Sequence, residues 1–129
     1  EFIVVREKKM LTEMSDCRVG AAKMLAGADC AIVVVGDEQK GDVWIEDCAV
    51  AMANMHLMAD SLGLGSCWIQ GRLRQAADGR STHEFVANLL KVPAPYQLEA
   101  ILSLGMPEAE APRRPFDEAL LGKVHEERF

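Results

Sequence analysis

Apolar residues in this chain come mostly in continuous runs, and only one stretch repeats them with a helical period. The runs Phe2-Ile-Val-Val5 and Ala31-Ile-Val-Val-Val35 are each closed by polar residues or glycine, and the segment from Gln97 to Leu104, ended by Gly105-Met-Pro107, reads as the last core strand. Such runs lack the alternation of a half-exposed strand, so they predict strands of an internal sheet. A shorter strand is expected where Ser66-Cys-Trp-Ile-Gln70 leaves a glycine-rich turn. Over residues 43–62, Ala49, Met52, Met55, Met58, Ala59 and Leu62 recur at helical spacing. The other side carries Val50, Ala51, Ala53 and Leu57, broken only by Asn54, His56, Asp60 and Ser61. A helix that is apolar on most of its circumference has to be covered on most of it, and a partner subunit is a natural source of that cover. Further helical segments are expected at residues 7–14, 18–26 and 83–90, the last capped by Thr82 and ended before Pro93. Residues 107–115 are too proline-rich for helix or central strand, and an extended apolar tip is expected at residues 124–129.

The 129 residues, half of them hydrophobic, suffice for one core, so a single domain of α/β or α+β class is expected. A formal charge of −6 with dispersed basic residues argues against nucleic acid as a partner. No apolar run reaches the length of a membrane span, and no segment has the order of a signal peptide; a cytoplasmic protein without a membrane partner is the expectation. Cys17, Cys30, Cys48 and Cys67 form no Cys-x-x-Cys pair and the histidines are not clustered, so no metal is expected and each cysteine reads as a reduced, buried, small hydrophobe. His56, His83 and His125 have no paired nucleophile in sequence, and no side chain is assigned a catalytic role.

The turn Ser61-Leu-Gly-Leu-Gly-Ser-Cys-Trp-Ile-Gln-Gly71 admits two readings. Gly63 can cap the long helix in the left-handed conformation. Alternatively, Gly63, Gly65 and Gly71 let a flat ligand approach the backbone while its N–H groups remain free to donate. The turn follows a helix and opens a strand, the reverse of a dinucleotide-binding Gly-x-Gly-x-x-Gly loop.

Read with its neighbours, the stretch from Asp47 through Trp68 and Ile69 resembles the nitroreductase family of FMN-dependent oxidoreductases. The runs at residues 1–5 and 28–35, the segment from Tyr96 to Leu104-Gly105-Met-Pro107, and the tail Pro112-Arg113-Arg114-Pro115-Phe116 with Val124-His125-Glu126 agree in order with that family. The resemblance implies an α+β fold with a mixed central sheet flanked by helices, and a homodimer with FMN at its interface. It implies hydride transfer from NAD(P)H through FMN to a small electron-poor acceptor such as a nitroaromatic or quinone, by a ping-pong route. By position, Gly65, Ser66 and the backbone of Trp68, Ile69 and Gln70 would meet the flavin ring. Arg113 and Arg114 would meet the phosphate, and Trp44 would stand on the substrate side. One departure counts against full function. The family's Arg-rich opening segment and first helices have no counterpart here, so a non-catalytic dimeric or flavin-sequestering remnant of the fold is the alternative expectation. A cysteine-based redox protein using Cys67 is a third.

Overall fold

The apolar runs become four strands, β1 (Phe2–Val5), β2 (Cys30–Asp37), β3 (Gly65–Gln70) and β4 (Tyr96–Gly105). The computed structural model of the chain describes residues 1–109, 112 and 114–129. In it the strands lie in the order β1-β2-β4-β3. The last strand in sequence thus inserts between β2 and β3. The α+β organisation with flanking helices is as expected, but every described strand pair is antiparallel. β2 and β3 both run opposite to β4 and so share a direction without touching, as β1 and β4 do, and no parallel pair of the expected mixed sheet occurs among the described strands.

The helices are α1 (Lys8–Met14), α2 (Trp44–Ser61) and α3 (Thr82–Leu90). Strand alternation divides the core in two. Ala31, Val33 and Val35 of β2, with Ile69 and Ile101, pack against Leu11 and Met14 of α1 and Val86 of α3. Val34, Ala100 and Leu102 face the other way, under Cys48 and Met52 of α2. Full burial of a side chain such as Met52 or Ile101 is worth roughly 1.5–3 kcal/mol. The β2–β4 register shifts between Val34 and Val35, which pair with Ala100 and Leu98 and leave Glu99 as the extra residue of a bulge.

Local chemistry sets the helix ends. At the end of α2, Gly63 has φ +72°, and the N–H groups of Gly63 and Leu64 donate to Asp60 O and Ala59 O, both at 2.9 Å. That is a Schellman cap, so Gly63 serves the helix. The N-cap of α3 is Ser81, whose hydroxyl accepts from the Glu84 N–H at 3.1 Å while the Glu84 carboxylate accepts from the Ser81 N–H at 2.8 Å. The expected cap, Thr82, lies one residue further on with its side chain wholly buried.

Residues 18–26 form turns and a short 3-10 helix, Lys23–Gly27, in place of the expected α-helix. Wholly buried Cys17, Ala22 and Leu25 fasten this segment to the core, and packing overrides its alanine propensity. A second 3-10 helix, Glu118–Lys123, precedes residues 124–129, which are exposed and form no strand. Cys17 and Cys48 are buried, but Cys30 and Cys67 are only half-buried, and all four thiols are free. No helix among the described residues is long and apolar enough to cross a membrane.

Candidate functional site

β3 leaves the α2 cap and runs along one edge of the sheet, paired with β4 alone among the described strands. In an antiparallel ladder an edge strand turns alternate N–H and C=O groups away from its neighbour, which leaves a row of donors and acceptors open to another molecule. Ile69 points into the core beneath α1 and α3 and is wholly buried. Trp68 is half-buried on the α2 side, packed with the cluster around Met52 and Leu102. Its indole Nε1–H donates to Gln70 Oε1 at 2.9 Å. Gln70 Nε2 in turn donates to the Glu99 carboxylate at 2.9 Å and to Glu99 O at 3.2 Å.

At the opposite end of β3, Gly65 and Ser66 line a depression of about 230 Å³ whose other walls include Met24, Ser103, Met106 and Pro107. Ser66 Oγ lies 2.6 Å from His56 Nδ1 of α2. His56 therefore has a hydroxyl partner that its place in the sequence did not reveal. None of the described hydrogen bonds gives that histidine an acid, so the pair is not a triad.

Trp44 is elsewhere. It stands at the start of α2 and lines a cavity of about 340 Å³ together with Gly36, Lys40, Cys48 and Tyr96. Its ring lies so close to β2 that a Cβ on Gly36 would come within 2.7 Å of Cε3. Trp44 shares an end of the sheet with Gln70, and it packs, as Trp68 does, against the cluster of Val34, Cys48, Met52, Ala100 and Leu102. Burial pushes the Cys48 thiol in this cavity upward, so it is not a poised nucleophile. Arg114 lies in the exposed tail, and Arg113 falls outside the described residues.

Two residues of this region have little sequence signature. Glu99 is 4 % exposed, and its backbone carbonyl also accepts from the N–H groups of Gly71 and Arg72 at 3.0 and 2.9 Å. Its one signal is a charge inside an apolar strand. Gly71 looked like a ligand-approach glycine, but it makes room for Leu98, whose Cδ2 would stand 2.5 Å from an added Cβ.

Comparison with known proteins places the chain's family and fold. The Nitroreductase family profile matches residues 3–106. A protein of Archaeoglobus fulgidus named "Putative NADH dehydrogenase/NAD(P)H nitroreductase" is 34% identical over 113 residues, covering 84% of this chain and 62% of the relative. A Methanothermobacter thermautotrophicus protein of the same name is 40% identical over 70 residues, covering 52% of this chain and 36% of the relative. The chain thus spans less than two thirds of the length of either relative. Among solved structures, an FMN-dependent nitroreductase of Clostridium difficile R20291 superposes with a TM-score of 0.91 at 40% identity, covering 100% of this chain and 75% of that one. With the family profile matched over residues 3–106 and a 34% identical relative aligned over 84% of the chain, this chain belongs to the nitroreductase family.

Proposed function

We propose that the protein transfers a hydride from NAD(P)H to a small electron-poor acceptor, such as a nitroaromatic or quinone, through an FMN held along β3, with donor and acceptor using the site in turn. The observation that carries this reading is the open edge of β3, in a fold shared with a solved FMN-dependent nitroreductase. When bound, FMN supplies the centre that accepts and returns the hydride. The chain's residues fit that group. Outward N–H groups between Gly65 and Gln70 suit the polar rim of a flat heterocycle, and N–H dipoles aimed there favour the negative charge that reduction brings. The side chains of Trp68 and Gln70 are tied to each other and to Glu99, which keeps them off the strand's open edge. Arg113 and Arg114 are the proposed phosphate contacts, because a guanidinium fork binds phosphate oxygens in pairs. Trp44 is the proposed substrate-side residue, at the sheet end it shares with Gln70. No side chain is required as acid or base.

We also propose a homodimer. On α2 and its cap, Val50, Leu57, Met58 and Leu62 are 61%, 69%, 59% and 66% exposed, an apolar surface that a second copy would cover. Anaerobic addition of NAD(P)H to the FMN-loaded protein tests the activity. Bleaching of the flavin band, reversed by a quinone, is the expected result. A flavin band that NAD(P)H leaves unchanged would refute the enzyme reading in favour of a flavin-sequestering protein, and a colourless stable dimer would refute it in favour of a scaffold.

A further inference from the structure

We propose that Glu99 is a positioning residue for the flavin-facing edge. It fixes the Gln70 carboxamide in one orientation and, through it, the Trp68 indole. This inference rests on FMN binding along β3 and adds a residue to which the sequence pattern gave no role.

The chemistry of the two ends sets the direction of the relay. An indole N–H can only donate, so the group facing Trp68 Nε1 must be the carboxamide oxygen of Gln70. The Gln70 NH₂ is then turned toward Glu99, whose side-chain Oε1 and main-chain O both accept from it. Both contacts are short, at 2.9 Å, and a flip of the amide would break both at once by setting N–H against N–H and oxygen against oxygen. Glu99 also holds the backbone where β3 ends, since its carbonyl accepts from Gly71 and Arg72. One residue of the bulge thus fastens both the last side chain of β3 and the turn that follows.

The arrangement is costly for a purely structural role. Glu99 is 4 % exposed, and its second carboxylate oxygen, Oε2, has no partner in the described structure. A buried carboxylate oxygen without a donor destabilises a fold, whereas an apolar residue of similar size in an apolar strand would not. A function at the adjacent strand accounts for keeping the acid there.

The test uses Trp44→Phe protein, in which Trp68 is the only tryptophan. Two readouts are taken for each variant: Trp68 emission without FMN, and FMN affinity by titration. Glu99→Leu leaves Gln70 only Glu99 O and is expected to shift the emission in the same direction as Gln70→Leu but by less, and to weaken FMN binding about tenfold, the order set by one lost buried hydrogen bond. Glu99→Gln keeps an acceptor oxygen facing Gln70 and is expected to stay within about twofold of the parent. Gln70→Glu sets a carboxylate against both the Glu99 carboxyl and Glu99 O and should weaken binding and shift the emission, a result that can be read even if Glu99→Leu fails to fold. Unchanged emission in folded Glu99→Leu, or unchanged emission and affinity in Gln70→Glu, would overturn the proposal. If the parent binds no FMN, the flavin reading fails, and this role for Glu99 with it; the emission series alone then decides whether the relay exists.

Discussion

Replacing Gly71 by alanine tests the packing that holds the end of β3. The added Cβ would stand 2.5 Å from Leu98 Cδ2, 2.8 Å from its Cγ and 3.4 Å from Glu99 O. Leu98 cannot swing away freely. It is 2 % exposed in the core beneath α1 and α3, and its N–H donates to His83 Nδ1 at 3.2 Å. Overpacking of this kind costs about 1–3 kcal/mol. Leu98→Ala alone removes the clashing atoms and leaves a cavity, at a cost of about 2–5 kcal/mol. In the Gly71→Ala background the new methyl partly fills that cavity, so the double variant should be more stable than the sum of the singles by about 1 kcal/mol or more. Urea unfolding followed by far-UV circular dichroism, at one fixed protein concentration, measures all three. Strict additivity, or a Gly71→Ala cost below about 0.5 kcal/mol, would refute the packing argument.

Other expectations follow from single contacts. Leu57→Asp on the exposed face of α2 should keep the fold and shift sedimentation from dimer to monomer; a dimer unaffected by the charge would place the interface elsewhere. Burial pushes the Cys17 thiol to about 11 and raises that of Cys48, so iodoacetamide at neutral pH should label Cys30 and Cys67 well before these two, with all four labelled after unfolding. Ser81→Ala should cost about 1 kcal/mol by removing the α3 cap. Hydrogen bonds from Ser81 hold the Glu84 carboxyl below its ordinary 4.5. The cap's contribution is therefore present above that value and lost as pH falls through the lower folded value, so Ser81→Ala should flatten the acid limb of the stability profile.

Much of the fold could be read from the sequence, because its signals are local. The runs in β2 and β4 had to be buried strands, and the period of α2 with Gly63 at its end marked the long helix and its cap. Strand order is not local. Nothing near Trp44 or Trp68 says that β4 lies between β2 and β3, or that both tryptophans pack against one cluster containing Ala100 and Leu102 of that strand. The α3 cap could have been placed from Ser81-Thr-His-Glu84, a capping-box spacing; Thr82 competes in sequence but is turned inward. Residues 18–26 deceived through alanine propensity, which loses to three buried side chains. Of the site, the strand with Trp68, Ile69 and Gln70 was legible, while the His56–Ser66 contact and the role of Glu99 depend on which elements fold against each other.

The central claim is that the open edge of β3 holds the flavin, and backbone amide NMR tests it most directly. On titration of isotope-labelled protein with FMN, the amide resonances between Gly65 and Gly71 should shift first and furthest, while those of α3 on the far face of the sheet stay in place. Shifts confined to α3 or to the cavity around Trp44, or none along β3 while FMN binds, would contradict the account.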